Sequence, residues 1–368
     1  MHDDIILDIL LRLPVKSLIR FKCVCKSWRT LIKDPKFIEH HYAMSKSDVN
    51  RHKIFITGGV SDNMDNYFYS VDAPLQHDSV VSLLETPVPG INTLSRVSFI
   101  SSSSNGIILI VFPYDLIILW NPATGESRKI PSPIPKKKKS ERRQFPAVYG
   151  FGYVSSIDDY KIFRIGGKYN SHAHFEIELF STKSNAWKLI GMFSPNNFCF
   201  EGGIVTIDGI VYMIEMADFT RNIDRATILS FSLENEQFEY VLFPDQIQKF
   251  QDPILYVLGE NLCLTRMQNL TSRDFEVWHM IKDGSMNNIW SKILTIPSMH
   301  CGRCLSPVCL MKIDGYIMLL KHKGDFEIYN SDGEQIEIVE VPGLQSSLFF
   351  NCIVPYVESL FSPKQRRI

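Results

Sequence analysis

A chain of 368 residues exceeds one average domain, and 45% apolar with 21% charged residues excludes a globally disordered protein. The formal net charge of −1 excludes a nucleic-acid-binding surface spread over the whole molecule, which would need a positive field. The start, Met1-His2-Asp3-Asp4, lacks the basic region of an export signal, so the eight cysteines are expected to stay reduced in the cytoplasm or nucleus.

The first forty residues read as helices. Ile5, Ile6, Ile9, Leu10 and Leu13 recur at helical spacing, Asp3 and Asp4 suit the start of such a helix, and Pro14 breaks it. A second helix is predicted through Leu18, Phe21 and Val24. A third runs through Trp28, Leu31 and Ile32 and stops before Pro35. This head is too small to bury all its apolar surface alone, so it must cover that surface against something else. Cys23 and Cys25 fall within it and read as small packing residues.

The run Leu13-Pro14-Val15-Lys16-Ser17-Leu18, followed by Phe21-Lys22-Cys23-Val24-Cys25-Lys26-Ser27-Trp28, resembles the F-box that heads many plant proteins. The resemblance implies a helical module that docks on the Skp-type adaptor of a cullin-RING ubiquitin ligase. It implies adaptor binding by Ile5, Ile9, Leu10, Leu13, Pro14, Val15, Leu18, Val24 and Trp28, buried partly against the adaptor and partly within the module. The Leu-Pro with which the family usually opens falls on Met1 and His2. Either part of the adaptor contact is missing or it lies upstream.

From Lys53 onward the pattern changes to short alternating strands punctuated by turn residues. The most apolar stretch, 106–120, is interrupted by Pro113 and Asp115, which predicts two strands and a turn rather than a membrane span. One phrase recurs, an extended run followed by a polar turn and a further short strand. It occupies 67–72, 117–125, 176–187, 228–238, 275–290 and 326–333. Six copies about fifty residues apart suit the blades of a propeller. Asn105-Gly106, Asp208-Gly209 and Asp314-Gly315 are tight-hairpin signals. The run 348–357 is predicted to pair with the first blade and close the ring, leaving no open edge.

This body resembles the F-box-associated domain of the same plant proteins. The resemblance rests on Trp120-Asn121-Pro122-Ala123-Thr124, on Tyr149-Gly150-Phe151-Gly152-Tyr153 with Asp158 to Lys161, on Ser230-Phe231-Ser232-Leu233-Glu234, and on Pro355-Tyr356-Val357-Glu358-Ser359-Leu360. It implies a propeller-like substrate-binding domain. The glycine doublets at 58–59, 166–167 and 202–203 are reminiscent of kelch repeats but lack their downstream Tyr and Trp spacing. The expected chain is a small all-α F-box over 1–45, an all-β propeller-like domain of about six blades over 46–362, and a basic tail over 363–368.

Chemistry-bearing clusters are sparse. His300-Cys301-Gly302-Arg303-Cys304 has metal-like spacing but no second cysteine pair to complete a four-ligand zinc site, and reads as a loop with incidental thiols. His172-Ala173-His174 lacks a third ligand. No nucleophile elbow, phosphate-cradling loop or dinucleotide fingerprint is present, so no cofactor, metal or catalytic residue is expected. The basic run at 135–143 admits three readings: a solvated loop, a nuclear import signal, or a contact with an acidic partner. Target-binding loops are expected around 136–145, 168–174, 218–224, 268–273 and 299–305.

The leading expectation is therefore the substrate receptor of a Skp–cullin–F-box ligase. Its partners would be the adaptor, through it the cullin and RING subunits, and an unidentified target protein, with no nucleic acid and no membrane. The alternatives are a propeller enzyme or glycan-binding protein with a structural helical head, and an adaptor-binding protein with no role in degradation.

Overall fold

A computed structural model of the chain describes residues 2–60, 66–73, 81–85, 99–100, 103–113, 115–133, 147–168, 174–193, 199–216, 227–244, 251–267, 274–282, 288–297, 311–313, 316–320, 325–330, 332–340 and 348–364. The expected loop sites, the His300–Cys304 cluster and the basic run at 135–143 fall almost wholly outside these residues. The chain divides into two compact units, Met1–Ile130 with Val339–Ile368, and Pro131–Ile338.

The first unit opens with four helices: α1 (His2–Leu11), α2 (Val15–Phe21), α3 (Lys26–Lys33) and α4 (Pro35–Ser47). Pro14 separates the first two, as its missing N–H and fixed φ dictate. The third helix ends before Pro35, as the sequence predicts, and Pro35 also begins α4, a helix the sequence reading lacks. Asp34 caps that helix, accepting from the backbone N–H of Lys36 at 2.9 Å and Phe37 at 3.3 Å. The proline occupies the first helical turn, where its lack of a donor costs nothing.

After the helices the described chain is β-structure. β1 (His52–Val60), β2 (Asn66–Ala73) and β3 (Val81–Leu83) form an antiparallel sheet with the last strand, β24 (Leu348–Val357). The predicted pairing of the two chain ends is therefore present, in a register running from His52 opposite Val357 to Val60 opposite Leu348, with a bulge at Thr57/Gly58. Pro355 is tolerated because β24 lies at the sheet's edge and pairs on one side only. A second sheet contains β4 (Phe99–Ile100), β5 (Ile108–Phe112), β6 (Leu116–Trp120) and β7 (Ser127–Ile130). The apolar stretch thus forms two strands around a turn in which Asp115 takes φ 54°.

These two sheets share a core of Phe55, Phe68, Ile100, Ile108, Ile110, Phe112, Ile118, Trp120, Val354 and Tyr356. Trp120 meets Phe55 and Phe68 edge-on, with ring centroids 5.6 and 5.7 Å away. Such contacts add to the area term because the positive ring edge faces the negative ring face. The Tyr356 hydroxyl pairs with Ser70 at 2.7 Å inside the first sheet.

The second unit holds four more four-stranded antiparallel sheets. They are β8 (Val148–Val154) to β11 (Ala186–Phe193), with β9 (Asp159–Lys168) and β10 (His174–Ser181) between; β12 (Cys199–Ile207), β13 (Ile210–Met216), β14 (Thr227–Ser232) and β15 (Phe238–Val241); β16 (Gln251–Leu258), β17 (Asn261–Met267), β18 (Phe275–Lys282) and β19 (Asn288–Ile296); and β20 (Met311–Ile313), β21 (Tyr316–Leu320), β22 (Asp325–Tyr329) and β23 (Gln335–Glu340). Successive sheets pack face to face, with one apolar cluster between each neighbouring pair. The recurring sequence phrase lands on the third strand of every sheet, β2, β6, β10, β14, β18 and β22. In five of them the closing aromatic is buried: Trp120, Phe180, Phe231, Trp278 and Tyr329. The expected architecture, a small helical head and an all-β body of about six blade-like sheets, is the one observed.

Candidate functional site

The helical head owes its shape to a closed interior. Leu10, Leu11, Val15, Leu18, Ile32 and Phe37 are buried together, flanked by Ile6, Leu7, Leu13, Phe21, Trp28 and Leu31. The Phe21 and Trp28 rings lie 5.4 Å apart at a tilt. Polar contacts then fix the helix ends. Arg51 donates to the carbonyls of Arg12 at 2.6 Å and Leu11 at 3.4 Å, placing a cation where the dipole of α1 is negative. Cys25 caps α3, its sulfur accepting from the Trp28 N–H at 3.5 Å and lying 3.1 Å from the Ser27 hydroxyl. Those contacts hold the thiol's pKa below its ordinary value, the Ser27 hydrogen bond first. Cys23 and Cys25 are both exposed, so the packing role read from sequence is corrected. A capping position must face the helix end, not the core.

His41 ties α4 to the turn after α1. Its Nε2 lies 2.9 Å from the Leu13 carbonyl, so the neutral tautomer carries the proton there. The other ring nitrogen is buried with no hydrogen-bond partner among the described residues. Burial depresses the His41 pKa, the Leu13 carbonyl partly offsets this, and Arg51 depresses it further. A depressed basic pKa favours the fold above the free histidine value and withdraws that support as pH falls through the folded one. The helical head should therefore lose stability on acidification below about pH 6.5. His41→Gln, which keeps a donor for Leu13, should flatten that dependence in thermal melts read by helical circular dichroism. An unchanged pH profile in this variant would remove His41 as the cause.

Against this closed interior, three large apolar side chains stand in solvent. Ile5 is 55%, Ile9 53% and Val24 61% exposed. Ile5 and Ile9 are one turn apart and share a face of α1. Pro14 is exposed at the N-cap of α2. Side by side, the two isoleucines make an exposed apolar patch on a short helix. Asp8 and Arg12 flank them with an exposed i,i+4 ion pair at 3.3 Å, which contributes little to stability.

The nine residues singled out in sequence thus divide by position. Ile5, Ile9, Pro14 and Val24 are exposed; Leu10, Val15 and Leu18 are buried inside the head; Leu13 and Trp28 are half-buried against it. Amphipathic spacing finds the apolar positions but does not tell which turn outward. Elsewhere, no group of three or more potential metal ligands gathers among the described residues. Among them, no helix is long and apolar enough to cross a membrane.

Comparison with known proteins adds to this geometry. Residues 1–40 match the family described as F-box domain, and residues 60–363 match the F-box associated beta propeller domain. F-box protein CPR1 of Arabidopsis thaliana is 30% identical over 80% of this chain and 72% of its own. F-box/kelch-repeat protein At3g23880 of the same plant is 26% identical over 88% of this chain and 85% of its own. Among solved structures, TolB from Acinetobacter baumannii aligns with 87% of this chain and 72% of its own at 10% identity, with a TM-score of 0.48.

Proposed function

Because the chain belongs to the F-box proteins that carry an F-box-associated β-propeller, we propose that it is the substrate-recognition subunit of a Skp–cullin–F-box ubiquitin ligase. The observation that carries this reading is the pair Ile5 and Ile9, exposed on an F-box whose buried core leaves them out. Four of the nine expected contact residues, Ile5, Ile9, Pro14 and Val24, remain outside that core and are free to be covered by a Skp-type adaptor. The other five support the face from behind.

The mechanism is tethering. The adaptor carries the cullin and RING subunits, the RING recruits a ubiquitin-loaded conjugating enzyme, and the propeller holds the target within reach. Holding both partners on one scaffold raises their effective concentration, so the receptor itself supplies no catalytic side chain. In this reading the protein works in the cytoplasm, the nucleus or both.

The target is reached by proximity labelling in plant cells with two forms of the chain, wild type and Ile5→Lys/Ile9→Lys. A receptor should label a set of proteins with both forms, and those proteins should accumulate when the adaptor-blind form replaces the wild type. Labelled proteins whose abundance is equal in the two lines, with and without proteasome inhibition, would contradict a role in degradation.

A further inference from the structure

Two of the sequence motifs that identify the β-body have no place in the function proposed above. Trp120 to Thr124 and Tyr356 to Leu360 would ordinarily be assigned to target recognition because they stand out in sequence. Most of their side chains are buried: Asn121 and Ser359 have no exposed surface, Trp120 is 2%, Tyr356 4% and Leu360 5% exposed, while Ala123, Thr124, Val357 and Glu358 are half-buried. The residues that define the motifs present little for a target to read.

They touch each other and the F-box instead. The Asn121 side-chain amide donates to the carbonyls of Phe361 at 2.7 Å and Ser359 at 3.0 Å, and lies 3.3 Å from the Ser359 hydroxyl. Its oxygen accepts from the backbone N–H of Ala123 at 2.9 Å and Thr124 at 3.2 Å. One buried amide thus holds its own turn and clasps a segment near the other end of the chain. The Ser359 hydroxyl in turn donates to the Asn105 carbonyl at 2.6 Å. Asn105 and Gly106 form the tight turn before β5 with φ 50° and 73°. A Cβ on Gly106 would lie 2.5 Å from the Val357 carbonyl and 2.6 Å from the Ser359 hydroxyl, so the turn admits that segment only with glycine there.

Clasped in this way, residues 360 and 361 are directed at the helices. Leu360 enters the F-box interior with Leu10, Leu11, Val15, Leu18, Ile32 and Phe37, and Ala123 of the Asn121 turn packs against the same cluster. Phe361 meets Tyr42 of α4 edge-on, with ring centroids 5.6 Å apart, and burial there pushes the Tyr42 hydroxyl up to about 12. The F-box core is therefore composite. Its last wall comes from the propeller's closing segment.

We propose that Asn121, Ser359, Leu360 and Phe361 form a latch that completes the F-box core, so that the adaptor-docking face is held in fixed orientation to the first two sheets and only when residues 359–361 are seated. Ligase geometry depends on that orientation, because a loosely tethered head would spread the target over a large volume and lower its effective concentration. The latch also makes adaptor capture conditional on a chain that has been completed through its closing strand. This consequence rests on the adaptor-docking reading; the latch itself does not, and its test uses no adaptor.

Hydrogen–deuterium exchange on the full chain separates the possibilities, comparing wild type with Leu360→Ala, Asn121→Ala and the volume-conserving Leu360→Met. Leu360→Ala and Asn121→Ala should accelerate exchange in α1, α2 and α4 by ~30-fold or more, while strands β8 to β19 keep wild-type rates. Leu360→Met should stay within ~10-fold of wild type. Unchanged exchange in the helices, with faster exchange only around residues 355–361, would overturn the latch. If Leu360→Ala loses protection throughout, Leu360→Val decides: a rise concentrated in the helices supports the latch, and a uniform rise overturns it. A wild-type chain with the expected exchange pattern that fails to bind adaptor would sink the adaptor reading and leave the latch standing.

Discussion

Replacing Ile5 and Ile9 together with lysine is expected to weaken binding to a Skp-type adaptor by about a hundredfold or more while leaving the F-box folded. Both side chains are more than half exposed in the free chain, and surface substitutions of that kind change stability by about 0.5 kcal/mol or less. Covered by a partner, each isoleucine contributes roughly 1.5–3 kcal/mol, and a lysine in its place brings a charge into an apolar contact. Leu10→Ala is the instructive contrast. Leu10 is 1% exposed in the F-box interior, so that substitution should cost about 2–5 kcal/mol of stability and lose binding by unfolding the module. Isothermal titration with adaptor, run beside thermal melts of each variant, separates the two. If the double lysine variant bound like wild type, the exposed face of α1 would not be the docking surface.

The largest stability effect outside the F-box is expected at Trp120. Its ring is buried between Phe55 and Phe68 in the core shared by the first two sheets, and the next residue is the amide that clasps the closing segment. Trp120→Ala should destabilise the first unit by about 3–5 kcal/mol through the lost transfer energy and the cavity left behind. Urea denaturation followed by hydrogen exchange of β5 and β6 would measure it. A shift below about 1 kcal/mol would mean that the two sheets do not depend on this residue for their packing.

Much of the architecture is legible in the chain because β-blades repeat their physics. The six recurring phrases all fall on the third strand of a sheet, and Asn105-Gly106 and Asp208-Gly209 take the positive φ that their composition demands. The closing strand is legible too, as the run 348–357 expected to pair with the first blade. Three features were not legible. Pro35 carries the same chemistry whether it ends a helix or starts one; the distinction lies in Asp34, whose side chain caps the following N–H groups. Cys25 reads as a small apolar residue until its sulfur is seen at a helix N-terminus.

The third is the inward or outward facing of the F-box residues. Leu10, Val15 and Leu18 are buried partly because Leu360, distant in sequence, fills the space between them. Helical periodicity is local, and a core completed from the other end of the chain leaves no local signal. The same holds for Asn121: the sequence marks it as part of a family motif, but only its partners at 359 and 361 show that it clasps the segment whose Leu360 enters the F-box core.

The ligase role depends on adaptor docking at the exposed face of α1. Purified full chain titrated with a purified Skp-type adaptor should form a one-to-one complex with a dissociation constant of about 1 μM or tighter, lost in the Ile5→Lys/Ile9→Lys chain at unchanged melting temperature. A folded wild-type chain that shows no complex at about 100 μM adaptor would contradict it.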